Sequence, residues 1–413
     1  MTNRLYLADP RLLSFDAHVV AARTHGEHPA LVLDRSAFYP EGGGQPADRG
    51  TLRFGDAAVP VLDVQEVEGE VLHVLGGHAP AGAEVRGEVD AARRRDHVQQ
   101  HHGQHLLSAA FEAHFTSAAA GTAGGLGHTL SFHLGEETCT IDLDVPIGAL
   151  GPAVLRAVEA RANDLVWRDL PVEARDFAPD ELARLPLRKE PAKGSRVVVV
   201  GEAGAIADAS PCGGTHPRRT GEVGAIAVLR AQRWSQGARV EFVCGGRAVA
   251  ALAAAGERLG AAAAALKCAA GEVPAAVARA AEEASARRKD VEKLLQALAE
   301  KEALSLSGPD AVVQAAVTAP VAGAPAWLRA LAFALAAQGK TALLGAVEDG
   351  RAHLCFARPK GPGPHLGEAL KAAVALLGGK GGGAPDSAQG SGPAVGMLEA
   401  ALGEAAARLG AIT

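Results

Sequence analysis

The sequence predicts a multidomain α+β protein: an N-terminal β-barrel, a mixed α+β domain, a helical hairpin and a C-terminal α/β domain. Three observations carry this expectation. Short apolar or alternating runs crowd the first 90 residues, parted by Gly, Pro, Asp and Glu. Strand and helix patterns then mix as far as about residue 245, and from Gly246 the texture turns to alanine-rich helix. With 413 residues the chain has room for several cores. Its residues are 48% hydrophobic but only 4% aromatic, so small aliphatic side chains must fill those cores.

In residues 1–90 the runs HVVAA, PALVLDR, GTLRF, AVPVLDVQEV, VLHVLGG and EVRGEVD predict the strands of the barrel. Residues 91–245 predict a helix from about Asp96 to His114, strands near 129–134 and 139–144, and a helix across 147–165. Strands RVVVVGE, AIAVLRAQ and RVEFVCG follow. Residues 246–306 read as two helices, broken at Gly271 and restarted by Pro274, that make an antiparallel hairpin, a spacer or a dimerising arm. Val291, Leu294, Leu295 and Leu298 give the second an apolar stripe. Residues 307–413 predict strand AVVQAAV, a helix at 326–337, strands TALLGAV and HLCFA, a helix at 366–377 and a last helix at 394–409. Between those last two helices, GGKGGGAPDSAQGSG (378–392) reads as a Gly-rich loop. Asp386 and Gln389 inside it favour a functional loop over a linker.

Net charge is −6, which gives no global attraction to nucleic acid; RNA contact would need local basic patches. Arg93-Arg94-Arg95, Arg188-Lys189 with Lys193 and Arg196, and Arg218-Arg219 supply such patches, or simply solvated faces. The five cysteines are odd in number and scattered. The start MTNRLYLADP has no apolar signal segment, and no apolar run of spanning length escapes Gly, Lys or Arg. A cytoplasmic protein with reduced thiols and no membrane contact is expected.

Residues 99–111, QQHHGQHLLSAAF, place three histidines ahead of an apolar helix. Residues four apart on a helix share a face, so His101 and His105 can put two imidazoles on one ion. Further on, SPCGGTHPRRTGEVG holds Cys212 and His216, with two glycines that let the backbone fold back tightly. Thiolate plus imidazole is a donor set that suits zinc. His97, four residues before His101, permits a competing register. His102 points about 100° away and is expected behind the ligands or towards solvent.

These residues resemble a known family. FYPEGGGQPADRGTL (38–52), QQHHGQHLLSA, SFHLG…TIDLD (131–144) and PCGGTH, in this order, are similar to the alanyl-tRNA editing protein (AlaX) family. They are equally similar to the editing domain of alanyl-tRNA synthetase. The tail FARP…GGKGGGAPDSAQGSGP resembles the DHH-associated domain of that synthetase and of long AlaX forms. The resemblance implies zinc ligands His101, His105, Cys212 and His216, which favours that register over His97. It implies a pocket loop at Gly43, Gly44 and Gln45, and a threonine that meets a substrate hydroxyl. Thr129 matches it, with Thr122 as a rival. In the tail, Lys380, Asp386 and Gln389 become the expected tRNA contacts.

The resemblance implies a zinc-containing editing domain at 91–245 that hydrolyses Ser-tRNA(Ala) in trans, with Gly-tRNA(Ala) as a further candidate. Four protein ligands ordinarily close a zinc site, whereas hydrolytic zinc keeps a position for water. Gln45, Asp48 and Asp208 are candidate bases or orienting groups, although Asp48 equally suits a turn cap. No segment reads as an aminoacylation core. An RNA-binding protein with a structural zinc, and an editor of Ser-tRNA(Thr), are the alternatives. The tail would choose the tRNA or serve a homodimer.

Overall fold

The computed structural model describes residues 2–79, 84–116, 127–190, 194–235, 237–320 and 323–410. Two compact units divide the chain, Met1–Gly260 and Ala261–Thr413. In the first, strands β1 (Ser14–His25), β2 (His28–Leu33), β3 (Gly50–Phe54), β4 (Ala57–Val67), β5 (Glu70–Leu75) and β6 (Glu84–Val89) close into an antiparallel barrel. Their order around it is β1-β2-β5-β4-β3-β6. Alternation builds its interior: Phe15, Ala17 and Val19 of β1 point in and their neighbours out. In β4 the inward series runs Val59, Val61, then Val64, and the change of phase falls at a bulge between Val61 and Asp63. Without that extra residue, every later side chain of β4 would face the wrong way.

Helix α1 (Ala91–Thr116) follows, and Asp90 caps it, Oδ1 accepting from Ala92 N at 2.9 Å and Arg93 N at 3.0 Å. The helix therefore begins before Asp96, where the apolar pattern alone would start it. It lies on a four-stranded sheet made of β7 (Thr129–Leu134), β8 (Cys139–Leu143), β12 (Ile226–Trp234) and β13 (Gly237–Cys244), in the order β12-β13-β8-β7. Helix α2 (Pro152–Trp167) packs beside α1. A Cβ on Gly103 would overlap Cys244 Sγ, so the glycine sets how closely α1 meets the sheet. Gln100 then bonds both backbone groups of Cys244, at 2.8 and 2.9 Å. A second, three-stranded sheet joins β9 (Val172–Asp176), β10 (Arg196–Glu202) and β11 (Ala205–Pro211). Neither VEARD nor AIADASP reads strongly as a strand; the valine run of β10 between them supplies the apolar surface, and hydrogen bonding recruits both neighbours.

Helix α3 (Gly246–Leu266) crosses the boundary between units, and α4 (Val273–Leu306) belongs to the second. Among the described residues α3 alone is long and apolar enough to cross a membrane, with mean hydropathy 1.4. Its hydropathy comes mostly from alanine, and Arg247, Glu257 and Arg258 interrupt it. The second unit then runs β14 (Val312–Ala316), α5 (Ala324–Ala337), β15 (Thr341–Glu348), β16 (Arg351–Ala357), α6 (Leu366–Leu376), β17 (Lys380–Gly383), β18 (Ser387–Gly392) and α7 (Leu398–Gly410). Its sheet has the order β14-β15-β16-β18-β17, with α4 and α5 packed on one face and α6 and α7 on the other.

The Gly-rich loop expected at 378–392 is instead the hairpin β17–β18. Its glycines serve packing: a Cβ on Gly390 would strike Val374 of α6, and one on Gly381 would lie 3.0 Å from Leu370 Cδ2. Bare strands let the helix approach closely.

Candidate active site

Helix α1 presents His101 and His105 on one face, and the segment after β11 brings Cys212 and His216 against them. One donor atom from each of the four lies within 4.8 Å of the others. The imidazole centroids of His101, His105 and His216 are 4.8 to 5.3 Å apart. Gly214 makes this possible, because a Cβ there would overlap the His101 ring.

Two of the three imidazoles have a hydrogen-bonded partner at the far nitrogen, and the third faces a carboxylate. Gln45 Oε1 sits 2.6 Å from His101 Nδ1. An amide oxygen only accepts, so that nitrogen carries a proton and turns away from the cluster, with Nε2 3.1 Å from Cys212 Sγ. Gln45 is itself fixed, since its Nε2 donates to Thr215 Oγ1 at 2.8 Å and its Oε1 accepts from Thr215 N at 3.1 Å. Behind His105, Asp208 Oδ2 stands 3.8 Å from Nδ1, and Arg188 Nε donates to Asp208 Oδ1 at 2.7 Å. His216 Nδ1 pairs with His102 Nδ1 at 3.1 Å, so Nε2, buried without a hydrogen-bond partner, is the nitrogen left for an ion. Polar groups that hold ligating histidines from behind are characteristic of metal sites.

The electrostatics agree. Burial alone would raise the Cys212 pKa, but His101, His216 and His105 around it hold the thiol well below its usual range. Burial opposes charge at His105 as well, yet Cys212 and Asp208 push it up to about 9. Burial brings His216 down to about 3. A thiolate among imidazoles, with an orphaned buried nitrogen at its centre, fits a borderline-soft divalent ion. His97 is not part of the cluster; it is buried nearby with Nδ1 unpartnered. His102 is fully buried, so it does not face solvent and acts behind His216.

A cleft of about 410 Å³ opens onto this cluster through His105 and Cys212. Gly43, Gly44 and Thr129 line it, whereas Gln45 lies buried beneath. Gly43 and Gly44 adopt φ of +55° and +81°, the signs of a type I′ turn, closed by Gly42 and Gln45 at 3.0 and 3.1 Å. Thr122 lies outside the described residues. Asp48 takes the capping role: fully buried, it accepts from Tyr39 N at 2.7 Å and pairs with Arg94. Sequence reasoning overlooked Gln104 and Ser108. With His101 and His105 they complete an i, i+3, i+4, i+7 stripe of polar residues, which is the signal that would have found them.

In the second unit Lys380 and Gln389 line a separate cleft of about 220 Å³ with His353, Cys355 and Ser391. Asp386 sits in the turn between β17 and β18 and does not line it.

Comparison with known proteins now bears on this geometry. Residues 195–241 match the family model described as the threonyl and alanyl tRNA synthetase second additional domain, and residues 325–411 match the DHHA1 domain. Residues 11–93, the barrel, match the model described as tRNA synthetases class II (A). The alanyl-tRNA editing protein AlaX-L of Pyrococcus horikoshii is 36% identical over 60% of this chain and 59% of its own length. The chain is related to the alanyl-tRNA editing proteins. An alanine-tRNA ligase of Halorubrum lacusprofundi is 34% identical over 97% of this chain and 43% of its own. The chain thus spans about half the length of the curated relatives it matches. The C-Ala domain of Aquifex aeolicus alanyl-tRNA synthetase is 22% identical over 24% of this chain and 89% of that domain, with a TM-score of 0.22.

Proposed function

We propose that the chain is a zinc-dependent aminoacyl-tRNA hydrolase that removes serine from tRNA(Ala), with the glycyl ester as a second substrate. The observation that carries this reading is the junction of a buried thiolate–imidazole quartet with a cleft, through His105 and Cys212. His101, His105, Cys212 and His216 would hold the ion. Bound there, zinc would supply Lewis acidity for ester hydrolysis. The remaining tasks fall to the chain. Gln45 and Asp208 are engaged by Thr215 and by Arg188, so they position His101 and His105 rather than serve as free bases. Thr129 offers the cleft a hydroxyl for the substrate's side chain.

The need for such an enzyme follows from selectivity. A pocket built for alanine rejects an added hydroxyl by only about 100-fold, so serine is attached in error. An editor must do the reverse and hold that hydroxyl. Lys380 and Gln389 would give the second unit a surface for tRNA, and the protein would act in the cytoplasm.

Deacylation of Ser-, Gly- and Ala-tRNA(Ala) and of Ser-tRNA(Thr), before and after chelation, tests the reading. Hydrolysis of the seryl and glycyl esters of tRNA(Ala), lost with the metal and restored by zinc, is expected; the alanyl ester should be spared. Because four protein ligands ordinarily close a site, a structural metal in an RNA-binding protein is the competing reading. It predicts tRNA binding with no hydrolysis. Preference for Ser-tRNA(Thr) would transfer the activity to threonine tRNA.

A further inference from the structure

Beside the metal cluster runs a short buried relay of polar side chains. Gln104 Nε2 donates to Ser108 Oγ at 2.7 Å, and Ser108 Oγ lies 2.6 Å from Thr129 Oγ1. Ser108 is fully buried and Gln104 is 4% exposed, yet both ends of the relay, Gln104 and Thr129, line the cleft. Two groups of one helix turn are thereby tied to the first residue of β7.

The relay constrains hydrogen-bond polarity. Gln104 spends one of its two N–H groups on Ser108, so its Oε1 remains for the cleft as an acceptor beside the second N–H. Ser108 accepts that bond, and either hydroxyl of the Ser108–Thr129 pair can donate to the other; where Ser108 donates, Thr129 Oγ1 accepts its single proton. The proton of Thr129 is then released to the cleft as a donor. We propose that Gln104 Oε1 and the Thr129 hydroxyl form a matched acceptor–donor pair that clasps the substrate's side-chain hydroxyl, with Ser108 as the positioning residue that sets both. Gln104 is thus a specificity-determining residue alongside Thr129. The inference rests on the editing function proposed above and names how the enzyme spares correctly charged tRNA. An alanyl methyl entering the clasp leaves an acceptor and a donor unpaired, each a loss of roughly 5- to 150-fold. A glycyl ester brings no side chain, and water fills the clasp.

The test uses the full chain with native, Gln104→Leu and Ser108→Ala proteins. Two quantities are read: kcat/KM on Ser-, Gly- and Ala-tRNA(Ala), and binding of 3′-serylamino- and 3′-glycylamino-adenosine, whose amide resists hydrolysis. Metal content and thermal melting establish that each variant is folded. Gln104→Leu should lower seryl hydrolysis and serylamide affinity by roughly 5- to 150-fold, the equivalent of one lost buried hydrogen bond. Glycyl hydrolysis should stay within about threefold, and the preference for seryl over alanyl ester should collapse. Ser108→Ala, which touches no ligand, should shift the same ratios in the same direction. Parallel losses on seryl and glycyl substrates, or an unchanged seryl-to-alanyl ratio, in folded metal-loaded variants would overturn the clasp alone. Failure of the native chain to hydrolyse any of the three esters would overturn the editing function and the clasp with it.

Discussion

Cys212 illustrates how single side chains decide this site. Burial by itself would keep its thiol protonated, and three imidazoles reverse the balance. Replacing Cys212 or His105 by Ala should therefore abolish both zinc binding and hydrolysis while leaving the second unit folded. Metal analysis settles the ligand assignment, since full zinc in a Cys212→Ala/His216→Ala double variant would sink it. The residues behind the ligands carry a graded version of the same prediction. Gln45→Leu strands the His101 Nδ1 proton without an acceptor, so zinc affinity should fall by about 10- to 100-fold. Competition with a chromogenic chelator measures that fall. Thr129→Val deletes the hydroxyl but keeps the shape. It should depress seryl hydrolysis more than glycyl hydrolysis, and equal losses would remove Thr129 from the specificity role.

Elements place these side chains, and their constraints are sometimes a matter of one methyl group. Gly214→Ala drives a Cβ into the His101 ring, so the segment after β11 must move and zinc should be lost although no ligand has changed. Within the barrel, His73 is fully buried, with Nε2 2.7 Å from Ser36 Oγ and Nδ1 3.1 Å from the Leu31 carbonyl. Burial pushes its pKa down to about 4. An unfolded histidine titrates near 6.5, so between these values the unfolded chain holds a proton that the folded chain does not. Stability consequently falls as pH drops from about 6.5 towards 4, by about 3 kcal/mol for this residue. Urea unfolding at pH 7 and pH 4.5 checks the sign: His73→Leu should lose less stability between the two than the native chain loses. An equal loss would place the acid sensitivity elsewhere.

For the whole molecule, the division at Gly260 separates chemistry from the second candidate surface. All four candidate ligands, their backing groups and the cleft beside them lie in the first unit. A chain ending at Gly260 should keep its zinc and deacylate short acceptor-stem substrates. It should bind whole tRNA(Ala) less tightly and discriminate less against Ser-tRNA(Ser). Unchanged selectivity after truncation would rule out the second unit as the tRNA reader.

The candidate ligand pairs are legible because their geometry is local. His101 and His105 need only the pitch of a helix, and Cys212 and His216 only a glycine turn between them. The strands of the barrel are legible for a similar reason, since alternation records which face is buried. The backing of His101 by Gln45, 56 positions away, leaves no periodic trace. Nor does the bond between His102 and His216, 114 positions apart, which turns a histidine expected near solvent or behind the ligands into a fully buried partner. The stretch 378–392 was open to misreading because glycine composition is the same in a loop and in a strand stripped for a close helix. Only the approach of α6, with Leu370 and Val374 against the bare strands, decides which it is. Spacing along the chain thus determined which residues gather at the site. The hydrogen-bond polarity around them, and with it what the cleft presents to a substrate, depended on contacts that only the folded chain creates.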